Sequence, residues 1–160
     1  MFDKILVPLD GSLQSQAALE VASNLARLNG AEVVLVRAPG LPQEADVSPL
    51  TAVSPAAYSR ERGRCERYLK RMASGEYASG LKVVCHVVDA CEDPAANLLW
   101  AIRAYQADLV VMTSHCREGV RRVLRGSVAE KLIRQAPCPV LVVGKRSRLL
   151  QGYIHRPLAV

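Results

Sequence analysis

Five short apolar runs, mostly Val, Leu and Ile, punctuate the chain at residues 4–9, 32–38, 81–88, 109–112 and 140–143. Each is too short for a helix and almost unbroken in apolar character, which marks strands covered on both faces. Between them the spacing becomes helical. Ala18, Val21, Ala22, Leu25 and Leu28 recur on one helix face, with Ser12 placed to cap it and Asn29-Gly30 to stop it. Residues 58–77 set Cys65, Leu69, Met72 and Ala73 on one face and many charges on the other. Asp93-Pro94 opens a third helix, because proline suits the first helical position. Its apolar face is Ala95, Leu98, Leu99 and Ile102. A fourth helix spans 127–135. Residues 39–55, rich in Pro, Ser and acidic side chains, read as a long connection, and no internal repeat is visible.

Strand and helix alternate throughout, so the expected fold class is α/β. Right-handed crossovers make it a single doubly wound domain: a five-stranded parallel sheet with helices on both faces. Ligands in such sheets bind outside the carboxyl ends of the strands, where the winding reverses. If the strand order is 3-2-1-4-5, Asp10 after the first strand and Thr113 after the fourth are neighbours at that reversal.

The chain has 160 residues, enough for one domain with a good core. The net charge is +6 and the pI about 9.3. The basic residues are spread out, and no aromatic residues interleave with them as base-stacking surfaces require, so nucleic acid is not the expected partner. Five cysteines, Cys65, Cys85, Cys91, Cys116 and Cys138, form an odd set without metal-ligand spacing. That speaks against a disulfide scaffold and for a reducing compartment. Cys85 and Cys138 lie in apolar runs and read as core residues. No secretory signal pattern opens the chain and no run approaches membrane-spanning length. A soluble, cytoplasmic protein with no membrane association is expected.

The segment after the fourth strand carries the candidate chemistry. Ser114, His115, Arg117, Gly119, Arg121 and Arg122 lead to Arg125 and Gly126-Ser127. A strand, a cationic loop and a helix N-terminus together are how α/β proteins hold phosphates. Ser127-Val128-Ala129-Glu130 also satisfies a capping box, a purely structural role compatible with anion binding. The arginines are either a solvated face or a local positive potential. Asp10 is either a turn residue in Asp10-Gly11-Ser12 or a carboxylate for a ribose hydroxyl or Mg²⁺. His115 is a loop residue or a donor to phosphate oxygens. The lone Trp100 reads as a core or interface residue. No Walker-type loop, dinucleotide fingerprint or nucleophile–base–orienter set is present, so an enzymatic role beyond slow ATP hydrolysis is not expected.

These residues resemble the universal stress protein family. ILVPLDGS near the start, Asp93-Pro94-Ala95, ADLVVM, SHCREG and GSVAEKLIRQAPCPVLVV occur in the family's order over residues 2–144. The resemblance implies a domain at 1–144, an added basic tail at 145–160, and the adenine nucleotide alpha-hydrolase-like sheet. It also implies a homodimer formed through the last strand, and ATP or AMP as ligand in one branch. That branch has glycine, two residues, glycine, nine residues, then Gly-Ser or Gly-Thr. Here these positions are Thr113, Cys116, Gly126 and Ser127, so the first two glycines are replaced. By resemblance the adenine lies near Pro8, Leu9, Val36 and Met112, with Asp10 facing ribose or Mg²⁺. Thr113, His115, Cys116, Gly126, Ser127 and Val128 then line the phosphates. Arg37 and Ala38 stand where the family often has His-Val, which alters the adenine wall.

A Cβ at Thr113 or Cys116 can hold a phosphate away from the backbone N–H groups. Losing one charge-assisted hydrogen bond costs about 1.5–3 kcal/mol, roughly ten- to a hundredfold in affinity. Binding is then weakened rather than abolished. The expected function is a cytoplasmic stress-response regulator that binds an adenine nucleotide and signals to a protein partner. The alternative is a family member that binds no nucleotide and serves as a protein-interaction module. A third reading makes Cys116, beside Arg117 and a helix start, a thiol sensor.

Overall fold

A computed structural model describes residues 1–39, 54–89, 93–113 and 128–144. The elements run β1 (Lys4–Pro8), α1 (Leu13–Asn29), β2 (Glu32–Arg37), α2 (Pro55–Ala73), β3 (Val83–Val87), α3 (Pro94–Ala104), β4 (Leu109–Thr113), α4 (Val128–Gln135) and β5 (Val140–Val143). All strand pairings are parallel, as the alternating pattern predicts, and the order is β3-β2-β1-β4-β5. Ile5 pairs with Val33 on one side and Leu109 on the other, so β1 is the central strand.

The sheet separates two cores, because successive side chains in a strand point to opposite faces. Ile5, Val7, Val33, Leu35, Leu109 and Val111 face α1 and α2, where they meet Ala18, Leu19, Ala22 and Leu69. Leu6, Val34, Val36, Val110 and Met112 face α3 and α4, where they meet Leu99, Ile102, Ala129 and Leu132. At the amino end of the sheet, the Asp108 carboxylate accepts the backbone N–H of Asp3 at 2.7 Å and of Lys4 at 3.1 Å. With the backbone bond from Asp108 N–H to the Lys4 carbonyl at 3.0 Å, it fixes the start of β1 against β4.

Local signals set the helix ends. Ser12 accepts from the Ser15 N–H at 3.1 Å, and Gly30 closes α1 with a left-handed φ of 70°. Several expectations need correction. Leu28 is 82% exposed, because the buried face of α1 runs through Ser15, Leu19, Ala22 and Ala26. Helix α2 begins at Pro55, behind a Ser54 cap on Ala57 N–H (3.2 Å), rather than at Tyr58. It ends at Ala73; Glu76–Ala78 is a separate 3₁₀ turn. Arg27 of α1 holds that turn by donating to the Tyr77 carbonyl at 2.7 Å. Trp100 is 57% exposed and packs edge-on against Tyr105, so it is not a core residue. Cys85 and Cys138 are half-buried, because both lie at the rims of the sheet; among the described cysteines the fully buried one is Cys65. Most of the 39–55 connection and the whole 145–160 tail fall outside the described residues.

On the α3–α4 side, Asp93 caps α3 through the Ala95 N–H at 3.0 Å and receives Lys131 Nζ of α4 at 3.0 Å. The Lys131 hydrogen bond comes first in holding the Asp93 carboxyl below its ordinary value of 3.8, with the cap bonds adding to it. A folded-state pKa below the unfolded one contributes stability above the unfolded value and loses it as pH falls through the folded one. Lys131→Met should therefore lower the melting temperature at pH 7 and bring it towards wild type below pH 3, measured by thermal melts across pH. A uniform shift at all pH values would remove the ion pair as its cause. In the other core, Leu69 is fully buried. Leu69→Ala should cost about 2–5 kcal/mol in urea unfolding, far more than the exposed Leu28→Ala.

Candidate functional site

The winding reverses at β1. Helices from the β1–β2–β3 half lie on one face and those from the β4–β5 half on the other, so neither set covers the carboxyl end of β1. A cleft of about 240 Å³ opens there. Its deep wall is apolar, made by Leu9, Val36, Val88, Leu98 and Met112, and Asp10, Arg37 and Thr113 stand around it.

The Asp10 turn is built from its own residues. Gly11 takes a φ of +93°, which a side chain resists. Asp10 Oδ1 accepts the Ser12 N–H at 2.9 Å. Ser15 Oγ donates to the Ser12 carbonyl at 2.8 Å, so the turn is locked onto the first turn of α1. Leu9 N–H reaches the Val36 carbonyl at 2.9 Å and carries the sheet one residue past β1. Asp10 is thus an Asx-turn residue, and it also lines the cleft.

Arg37 enters from the end of β2. Its guanidinium lies against Gly11, where a Cβ would meet Nη1 and Nη2 at 2.9 Å. It also covers the Tyr68 ring at 4.4 Å from the centroid. Behind it, Cys65 Sγ is 3.7 Å from the Ala38 carbonyl. Burial pushes the Cys65 thiol up, against the lowering effect of Arg37, and burial likewise raises Cys85 and Cys138. None of these three is therefore poised as a thiolate nucleophile at neutral pH. Among the described residues no group of three His, Cys, Asp or Glu side chains gathers as a metal site. His86 stacks on Tyr105 at 3.9 Å and does not line the cleft.

Seven residues expected to contact the nucleotide, Pro8, Leu9, Asp10, Val36, Met112, Thr113 and Val128, come together in this one cleft, with Arg37 and Ala38 of the altered adenine wall beside them. His115, Cys116, Gly126 and Ser127 lie outside the described residues, as do the arginines at 117–125. Thr113 closes β4 as an ordinary strand residue; among the described residues the non-glycine with positive φ is Gln106, at 57°. Thr113 in place of glycine therefore carries no backbone strain, and only the bulk of its side chain matters. Ser15, Val88, Pro94, Asn97 and Leu98 also line the cleft and were not singled out from the sequence. Pro94 was visible as the start of a helix following a strand. Such starts cluster at the carboxyl edge of a parallel sheet, and that rule could have placed α3 there.

With that geometry in place, comparisons with known proteins agree in one direction. Residues 1–144 match the model of the universal stress protein family. A universal stress protein of Methanocaldococcus jannaschii is 33% identical over 151 residues, covering 91% of this chain and 84% of its own. Another, from Bacillus subtilis, is 30% identical, covering 89% and 99%. A longer relative from Mycobacterium tuberculosis is 32% identical, and there the match spans 43% of its length. Among solved structures, a universal stress protein family member from Burkholderia pseudomallei superposes with a TM-score of 0.67 at 28% identity, covering 88% of this chain and 95% of that one. A universal stress protein in complex with cAMP superposes at 0.66, with 22% identity and coverages of 89% and 97%. One from Arabidopsis thaliana with AMP bound does so at 0.60, with 16% identity and coverages of 91% and 93%. This chain belongs to the universal stress protein family.

Proposed function

We propose that the cleft binds an adenine nucleotide, ATP or AMP, and that the protein is a nucleotide-responsive regulator of the stress response. The observation that carries this reading is the cleft itself, which gathers an apolar wall, Asp10 and Thr113 at the reversal of the sheet. Such a wall suits a flat base, and ligand pockets combine apolar lining with a few placed polar groups in this way. Space for the base and sugar lies between Pro8, Leu9, Val36 and Met112. Asp10 accepts from a ribose hydroxyl or shares Mg²⁺ with the phosphates. The phosphates run towards Thr113 and the start of α4, and His115, Cys116, Gly126, Ser127 and Val128 are the residues assigned to bind them. Relatives of the same fold that carry cAMP or AMP support the choice of ligand. The protein acts in the cytoplasm, as a homodimer through β5, with residues 1–144 as the domain and the 145–160 tail available to a protein partner. No described helix is long and apolar enough to cross a membrane.

The first test is to denature freshly purified protein and look for released nucleotide by mass spectrometry, then to titrate ATP and AMP calorimetrically with and without Mg²⁺. Saturable binding is expected, and Asp10→Ala should weaken it about ten- to a hundredfold. No nucleotide in either experiment would abandon this reading and leave an interaction module. Thr113→Gly, which restores the family's glycine, should tighten ATP binding about tenfold if the side chain holds the phosphate off. An unchanged affinity would show that Thr113 does not crowd the phosphate.

A further inference from the structure

Arg37 is a cation in a mostly apolar cleft, and among the described residues no carboxylate forms an ion pair with it. Its guanidinium lies beside Gly11 and over the Tyr68 ring. Other charges lie nearby. Arg71 covers the same ring at 5.5 Å, Glu61 and Arg62 act on the adjacent Cys65 from α2, and Asp10 stands at the end of β1. Placing a half-buried cation against apolar walls costs free energy unless something compensates it. A planar guanidinium fork is suited to a phosphate, which it can grip with two parallel hydrogen bonds.

The position of this fork matters more than its presence. The 5′-phosphates of the proposed nucleotide lie at β4 and α4, on one side of β1. Arg37 comes from β2, on the other side. The backbones of β2 and β4 stand two strand spacings apart, roughly 10 Å. Arg37 touches Gly11, the residue after Asp10, which places it at the sugar end. We propose that Arg37 is a second anion-binding residue of the cleft, selecting a nucleotide that carries a phosphate on a ribose hydroxyl as well as at the 5′ position. Asp10 then accepts from the ribose hydroxyl left free. This inference rests on the nucleotide reading above.

The test compares AMP with adenosine 2′,5′-bisphosphate and adenosine 3′,5′-bisphosphate by calorimetry at fixed ionic strength. One bisphosphate should bind about ten- to a hundredfold tighter than AMP. Arg37→Gln should erase that advantage, read as the ratio of bisphosphate to AMP affinity within the same variant. Arg37→Lys, which keeps the charge and loses the fork, should retain part of it. AMP binding with no bisphosphate advantage overturns the inference and leaves the nucleotide reading standing. An advantage equally large in Arg37→Gln also overturns it. No binding of AMP or either bisphosphate removes both. Should Arg37→Gln fail to fold, an undiminished advantage in Arg37→Lys counts against the inference.

Discussion

The molecule depends on one constraint: β1 is paired on both sides, and the chain leaves it in opposite directions. The β1–β2–β3 half places α1 and α2 on one face, and the β4–β5 half, entered through α3, places α3 and α4 on the other. Right-handed crossovers cannot do otherwise when the order reverses at a central strand. The carboxyl end of β1 is therefore left open between the described helices. Pro8, Leu9 and Asp10 stand at that opening because the topology leaves it open, and apart from Leu9 the apolar wall of the cleft belongs to the α3–α4 core.

The elements of the fold were legible because each level of the chain agrees with the next. Strands are short apolar runs, helix starts carry Ser12 and Asp93-Pro94, and Gly30 closes α1. What misled was reading face membership from hydrophobicity alone. Leu28 has the right spacing to Ala18 and Leu25 but sits in the last turn of α1, beyond the sheet's cover. Trp100 and Cys85 are apolar residues placed near an edge strand, where one side meets solvent. Edge and centre cannot be told apart from composition, since strand order emerges only from long-range pairing.

The cleft was legible in a different way. Seven of its residues could be named because turn chemistry and a resemblance pointed to the ends of β1, β2 and β4. The sheet supplies the proximity that ties Asp10 to Thr113 across about a hundred residues of chain. Ser15, Asn97 and Leu98 escaped notice because nothing in their own sequence surroundings distinguishes them from ordinary helix residues. Arg37 showed in sequence only as a departure from a pattern. Its contact with Gly11 and the Tyr68 ring gives that departure a physical form, because an arginine there fills the space beside a glycine that a Cβ would need.

The bracket formed by Asp108 on the N–H groups of Asp3 and Lys4 spans 105 and 104 residues. It bears on how the protein is made. As the chain leaves the ribosome, β1, β2 and β3 can assemble with their helices while β4 has yet to be translated. The first strand then presents an open, apolar edge, the kind that recruits other chains. Only when residues 108 and 109 emerge can the Asp108 bracket close and β4 cover that edge. The order of synthesis thus gives this small domain a vulnerable interval that ends late, and its length is set by translation speed rather than by the stability of the finished sheet.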